Sequence, residues 1–105
     1  MENKRKYERY KLECTGLALI TGSLQKITIH DISQNGVQFS FHHDVFIAKG
    51  DLVRLYFFER DSSTLCTLDA TVARVFEDSN HYWAVGVTFS ENIDTIKQVI
   101  DLLCI

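Results

Sequence analysis

Apolar and polar residues alternate along most of the chain with a period of two, the pattern of strands that bury one face. Gly22-Ser23 separates the first two alternating runs and predicts a hairpin turn, and Asn35-Gly36 gives a turn signal before the third. Because only short turns join the runs, with no room for crossover helices, they predict an antiparallel meander or barrel. The predicted strands cover residues 12–20, 24–32, 37–41, 52–58, 65–76 and 83–89.

Two of these runs depart from simple alternation. Leu52 to Phe58 is apolar on both faces except at Arg54, which predicts a strand covered on both sides for part of its length. Between Leu65 and Phe76 the alternation changes phase near Ala73. A phase change inside a long strand predicts a β-bulge or a barrel corner at that point.

The end of the chain changes to helical spacing. Ser90 or Asn92 can cap this helix, and its apolar stripe must be buried either in an open end of the barrel or against a dimer partner. The predicted fold class is therefore all-β, a six-stranded antiparallel β-barrel with a C-terminal α-helix, and a homodimer stays open. The stripe consists of Ile93, Ile96, Val99, Ile100 and Leu103.

The composition is that of one soluble globular domain, with 105 residues of which 46% are apolar. No apolar run is long enough to cross a bilayer, and the N-terminus lacks the apolar stretch of a signal peptide, so we expect a cytoplasmic protein without membrane insertion. The three cysteines are odd in number and widely spaced, which predicts reduced thiols rather than a disulfide framework.

Charge is distributed unevenly between the N-terminus and the rest of the chain. Residues 1–11 hold five basic and two acidic side chains, whereas residues 12–105 hold six basic and twelve acidic ones. We interpret 1–11 as a flexible basic arm and 12–105 as the single folded domain, although a merely solvated tail is the alternative. A short basic arm on an acidic body suits a small anionic ligand better than DNA or RNA, which need an extended positive face.

Motifs of enzymes and metal sites are missing from the sequence. It contains no glycine-rich phosphate loop, no nucleophile-elbow serine and no cysteine or histidine set at zinc spacing. His42-His43-Asp44 is better explained as an exposed loop than as a metal site. His30, Asp31 and Ser33 do not make a catalytic triad, because nothing fixes a base against the serine. The sequence therefore predicts a binding protein without catalysis, metal or cofactor.

Two polar stretches can carry the binding chemistry. The first, Arg5-Lys6-Tyr7-Glu8-Arg9, places two arginines four residues apart, and guanidinium groups pair well with phosphates or with a guanine edge. The second, Asp31-Ile32-Ser33-Gln34-Asn35-Gly36, supplies a carboxylate, a hydroxyl and a glycine between two strands. Taken singly, Asp31 and Ser33 fit ordinary turn-capping roles, and Gly36 fits a turn.

Together and in this order, the two stretches resemble the signature of the PilZ family, bacterial receptors for cyclic di-GMP. The matching residues are Arg5, Arg9, Asp31, Ser33 and Gly36. The resemblance covers essentially the whole chain and implies a six-stranded barrel. Val85 to Phe89 is similar to the family's last strand, and Arg74 falls where a strand arginine is frequent. Lys4 stands where some members have a further arginine and bind an intercalated pair of ligands, which leaves the ligand stoichiometry open.

The resemblance also implies roles for these residues. Arg5 and Arg9 are expected to clamp phosphate and guanine, Asp31 and Ser33 to hydrogen-bond the guanine, and Gly36 to permit close approach. The expected function is a cyclic di-GMP-binding effector or adaptor that changes conformation and acts on a downstream protein, in motility, biofilm or polysaccharide processes. Since nothing follows the helix, we expect a stand-alone adaptor.

The alternative function is a protein-interaction adaptor that does not depend on the nucleotide. It would use the apolar stripe of the helix or the strand surface around Tyr56 and Phe58. Intact arginine and Asp-x-Ser-x-x-Gly residues argue against it.

Overall fold

A computed structural model describes residues 8–42, 45–58, 65–77 and 83–103. The secondary structure is the predicted one, six β-strands followed by one α-helix. The elements are β1 (Tyr10–Ile20), β2 (Ser23–Ile32), β3 (Gly36–Phe41), β4 (Leu52–Phe58), β5 (Leu65–Glu77), β6 (Trp83–Phe89) and α1 (Ile93–Leu103).

The six strands form a closed antiparallel barrel in the order β1-β2-β3-β6-β5-β4. Closure comes from pairing between β1 and β4, where Leu17 lies opposite Tyr56, and it leaves no unpaired sheet edge. The β1–β2 hairpin turns at Thr21 and Gly22, both with positive φ, as a two-residue type I′ turn requires. The turn therefore lies one residue before the predicted Gly22-Ser23, and Ser23 already pairs with Ile20.

The barrel interior is filled by the inward-facing residues of all six strands, including Phe39 and Phe41 packed edge to face at 5.5 Å between ring centroids. Strand β4 also buries only its inward-facing residues, so the prediction that it is covered on both sides was wrong. Leu55 is fully buried, whereas Leu52 is 75% exposed and Phe58 is 37% exposed. A closed barrel buries only one face of each strand, and the outward apolar residues of β4 face solvent.

Helix α1 begins where Asn92 caps it. The Oδ1 atom of Asn92 accepts a hydrogen bond from the backbone N–H of Thr95 at 2.9 Å. Ile96, Val99 and Ile100 are buried and belong to the same core cluster as the barrel interior. The middle of the apolar stripe is thus buried by the barrel of its own chain, Leu103 is partly buried, and Ile93 is 46% exposed. None of the described residues forms a helix long and apolar enough to span a membrane.

Replacing Asn92 by alanine is expected to lower the free energy of unfolding by about 1 kcal/mol, because the first helical turn loses its side-chain acceptor. For a domain of this size the melting temperature should fall by roughly 4 to 8 °C. Thermal denaturation followed by circular dichroism measures it. Ser90→Ala is the matched control, because Ser90 is bound through its backbone N–H to the Asp69 carbonyl and a substitution keeps that contact. An equal loss in both variants would contradict the cap assignment.

Three register shifts interrupt the strand pairing, and each changes which side chains face outward. One lies between Lys11 and Cys14 in β1 and one between Ile29 and Asp31 in β2. The third lies between Val72 and Arg74 in β5, which confirms the bulge predicted near Ala73. Because a single extra residue moves all following side chains to the other face, these bulges determine which polar groups reach the outer surface.

Candidate functional site

A polar groove lies on the outer face of the barrel, across β3, β6 and β5 and beside the turn that joins β2 to β3. Two guanidinium groups line it, and its other side chains are mostly hydroxyls and amides. Among the described residues no carboxylate belongs to its lining, so the groove suits an anionic ligand with several hydrogen-bonding edges. Its polar lining residues are Arg9, Ser33, Asn35, Gln38, Arg74 and Thr88.

Two of the predicted site residues, 22 positions apart in the sequence, meet at the rim of this groove. The Nη1 atom of Arg9 donates a hydrogen bond to Oδ1 of Asp31 at 2.6 Å. Both side chains are partly accessible, with 33% of Arg9 and 20% of Asp31 exposed. Arg9 precedes β1 by one residue, and Asp31 is the second-last residue of β2. The other two basic residues predicted for the site, Lys4 and Arg5, lie outside the described residues.

Ser33 is buried and organises the turn between β2 and β3. Its Oγ atom accepts hydrogen bonds from the backbone N–H groups of Asn35 and Gly36, at 3.2 and 3.3 Å. The backbone N–H of Ser33 donates to the Gly36 carbonyl at 2.8 Å, which closes the turn. The turn-capping interpretation therefore accounts for the contacts of Ser33, and its predicted hydrogen bond to a guanine stays a prediction.

Gly36 is required by the neighbouring strand. Its φ is not in the positive region, so the turn itself does not need a glycine here. A Cβ atom at this position would lie 1.9 Å from the carbonyl oxygen of Val87 on β6. The close approach of β3 to β6 thus excludes a side chain, and the predicted role of Gly36 in admitting the ligand stays a prediction.

Arg74 is a second cation of the groove, and it was not among the residues predicted to bind the ligand. Its Nη2 atom donates to Oε1 of Gln38 at 3.0 Å, and its guanidinium carbon lies 5.2 Å from the ring centroid of Phe76. Its side chain crosses Gly86, where an added Cβ atom would come within 2.9 Å of Nε. The phase change near Ala73 is the sequence signal for the bulge that places Arg74 outward.

A second arginine–aspartate pair lies outside the groove lining and gives a comparison for Arg9 and Asp31. Nε of Arg54 on β4 donates to Oδ1 of Asp69 on β5 at 2.9 Å, with both side chains about half exposed. This hydrogen bond is the main cause that lowers the pKa of Asp69; desolvation opposes it, and the charge attraction of Arg54 adds a smaller lowering. Exposed pairs of this kind contribute little to stability.

Two of the histidines, His30 and His42, lie in the part of the chain that the structure describes, whereas His43 and Asp44 of the His42-His43-Asp44 stretch lie outside it. His42 contacts the hydroxyl of Thr28 through Nε2, at 2.7 Å. His30 contacts Glu13 and Ser40 rather than Ser33. In the part of the chain that the structure describes, no three histidine, cysteine or acidic side chains are grouped to hold a metal ion.

The described residues thus form a small closed β-barrel domain with one helix and a polar groove on its outer face. The family model described as PilZ domain matches residues 3–104, nearly the whole sequence. The chain therefore belongs to the PilZ family.

Solved structures agree with this assignment of fold. The PilZ domain of YcgR from Escherichia coli, determined with c-di-GMP, superposes with a TM-score of 0.72 at 13% identity, covering 96% of this chain and 92% of that one. MotI/DgrA, an inhibitor of motility from Bacillus subtilis, superposes with a TM-score of 0.75 at 17% identity, covering 98% of this chain and 50% of that one. The MrkH–c-di-GMP complex of K. pneumoniae superposes with a TM-score of 0.70 at 16% identity, covering 94% of this chain and 52% of that one.

The chain thus spans about half the length of the MotI/DgrA and MrkH chains. Among curated proteins, none matches the sequence significantly.

Proposed function

We propose that this PilZ domain binds cyclic di-GMP in the outer groove and acts as an effector module without catalysis. Family membership supports the proposal, as does the similarity of the fold to YcgR and MrkH structures that contain c-di-GMP. The observation that carries it is the contact between Arg9 and Asp31, which joins the arginine stretch and the Asp-x-Ser-x-x-Gly stretch at one rim of an anion-compatible groove.

The Arg9–Asp31 pair leaves hydrogen-bonding capacity on both partners. It uses one nitrogen of the guanidinium and one oxygen of the carboxylate. A guanidinium has five N–H donors, so the rest of Arg9 can bind a phosphate oxygen or the O6 and N7 acceptors of a guanine. The second oxygen of Asp31 can accept from the guanine N1 and N2 protons. Because each side chain orients the other before the ligand arrives, less conformational entropy is lost on binding.

Arg74 extends this cationic surface along the groove. Gln38 and the ring of Phe76 hold its guanidinium over Gly86, where a planar group can stack on a base or pair with a second phosphate. Lys4 and Arg5 complete the proposed clamp, with Arg5 as the first arginine of the motif. Ser33 and Gly36 contribute by fixing the turn and the spacing of β3 from β6.

We also propose that ligand binding regulates a downstream protein. The part of the basic arm that precedes Arg9 would contact the bound ligand and give a new surface to a partner, because Tyr10 and Lys11 of β1 already pair with β2. The alternative adaptor function has lost most of one of its two surfaces, because Ile96, Val99 and Ile100 of the apolar stripe are buried in the barrel core. The area around half-buried Tyr56 and partly exposed Phe58 is what it retains.

Adding cyclic di-GMP is expected to stabilise the protein by about 2.7 kcal/mol at a hundredfold excess over the dissociation constant. The melting temperature should rise by roughly 10 °C or more. Differential scanning fluorimetry gives this shift, and titration calorimetry gives the affinity and stoichiometry. GMP is the control ligand, because it offers one guanine without the second linked nucleotide. An unchanged melting temperature at millimolar cyclic di-GMP would contradict the proposed function.

Asp31→Ala is expected to reduce the preference for cyclic di-GMP over cyclic di-AMP, because the carboxylate accepts protons that adenine does not present in the same place. The loss for the guanine ligand should be roughly ten- to a hundredfold, the scale of a hydrogen bond to a charged group. Calorimetry with both ligands measures it, with Asp31→Asn as the isosteric control. An equal loss for both dinucleotides would show that Asp31 does not read the base.

A further inference from the structure

The buried isoleucines of β2 show that one extra residue interrupts the alternation of this strand. Ile27, Ile29 and Ile32 all face the core, so the spacing is two residues and then three. Ile29 pairs with Phe39 on β3 and Asp31 pairs with Gln38, which leaves His30 as the extra residue. His30 and Asp31 therefore both face outward in succession. With regular alternation Asp31 would point into the barrel, away from Arg9 and the groove.

The imidazole of His30 ties this bulge to the strands on both sides. Its Nδ1 atom lies 3.1 Å from Oε1 of Glu13 on β1, and its Nε2 atom lies 2.7 Å from Oγ of Ser40 on β3. The register of β1 shifts at the same level, and Glu13 adopts a φ of 47°, a left-handed conformation uncommon for a residue with a side chain. A ring with two polar atoms on opposite sides can bridge three strands in this way, and an aliphatic side chain cannot.

We propose that His30 is a positioning residue for the ligand site: it holds the β2 bulge that turns Asp31 outward to Arg9. Its effect on binding rests on the proposed function, whereas its effect on the bulge does not. His30 is not among the described residues that line the groove, so we assign its effect to the backbone between positions 29 and 31.

The contacts of His30 have the order of a serine–histidine–carboxylate triad, but they do not make a nucleophile. Ser40 is only 4% exposed and lies within β3, so its hydroxyl cannot reach an acyl or phosphoryl group of a bound substrate. The bonds of the ring are therefore used to join strands. His30 thus has a proposed role in joining strands, although it is not part of a catalytic triad with Asp31 and Ser33.

A double-mutant cycle between His30 and Asp31 tests the proposal. His30→Ala is expected to weaken cyclic di-GMP binding about tenfold and to lower the preference over cyclic di-AMP, as Asp31→Ala does. Because His30 acts through Asp31, His30→Ala should have no further effect in the Asp31→Ala background. A purely structural role would give additive losses and an unchanged guanine preference, and either result would overturn the proposal.

Two further variants guard against a general loss of folding. Ser40→Ala removes the buried partner of the ring without altering β2, and it should change affinity and guanine preference in the same direction as His30→Ala. His42→Ala removes a histidine whose ring contacts Thr28, a residue outside the β2 bulge. This variant should bind cyclic di-GMP as the wild type does. Equal effects of Ser40→Ala and His42→Ala would count against the proposal.

A measurement without ligand separates this inference from the proposed function. In ¹H–¹⁵N spectra of the ligand-free protein, His30→Ala should shift the amide signals of Glu13, Asp31 and Gln38 and weaken the cross-strand contacts between Asp31 and Gln38. Unchanged signals at these three residues would overturn the positioning role. Should the wild type fail to bind cyclic di-GMP, the proposed function falls, and these spectra still decide whether His30 holds the bulge.

Discussion

Arg9→Ala is expected to weaken cyclic di-GMP binding by roughly ten- to a hundredfold, because one charge-assisted contact contributes about 1.5 to 3 kcal/mol. Two effects act in the same direction. The ligand loses a guanidinium donor, and Asp31 loses the partner that orients its carboxylate for the guanine. Titration calorimetry measures the affinity.

The same substitution should have little effect on folding. The Arg9–Asp31 pair is partly accessible to solvent, and such pairs contribute on the order of 0 to 1 kcal/mol to stability. The melting temperature of the ligand-free variant should therefore fall by no more than roughly 4 to 8 °C.

Arg54→Ala is the matched control for the loss of charge. It removes the arginine of another partly exposed arginine–aspartate pair, at a position that does not line the groove. If the effect of Arg9→Ala comes from binding geometry, Arg54→Ala should retain wild-type affinity. Similar losses in both variants would mean that net charge, rather than a clamp, governs binding.

Most of the fold could be predicted because, in a closed barrel, every second residue of a strand faces the core, so the period of apolar residues in the sequence indicates which residues are buried. Period-two patterns predict five of the six strands, the apolar run from Leu52 to Phe58 predicts β4, and the phase change at Ala73 predicts the β5 bulge. The β4 prediction is wrong because apolar residues such as Leu52 do not by themselves imply burial, and composition does not determine which apolar residues remain exposed. The spacing from Ile29 to Ile32 is a corresponding phase change in β2, and it is equally visible in the sequence.

The site was only partly predictable, because its residues converge through strand order. Arg9 and Asp31 could be grouped by resemblance to a family, but their contact depends on the pairing of Lys11 with Asp31. Arg74 reaches the groove because β5 lies beside β6, and β6 beside β3, which no local pattern reveals. Bulges add a second difficulty, since a one-residue shift decides whether a polar side chain faces ligand or core.

Gly36→Ala is expected to be the most destabilising single change among those considered. The new Cβ atom would lie 1.9 Å from the Val87 carbonyl oxygen, and that oxygen belongs to backbone that cannot rotate away. Strands β3 and β6 would have to separate, although Gly36 pairs with Thr88 in the barrel. Overpacking of this severity costs about 3 kcal/mol, which corresponds to a fall in melting temperature of roughly 12 to 24 °C.

Gly86→Ala is the informative comparison, because both glycines lie in the β3–β6 pairing and line the same groove. There the added Cβ atom meets only the flexible side chain of Arg74, at 2.9 Å from Nε. Arg74 can move aside, so the ligand-free protein should melt within a few degrees of the wild type. The displaced guanidinium should weaken cyclic di-GMP binding. Thermal melts without ligand separate the two cases, and a Gly36→Ala variant as stable as Gly86→Ala would mean that β3 and β6 are not held this close in solution.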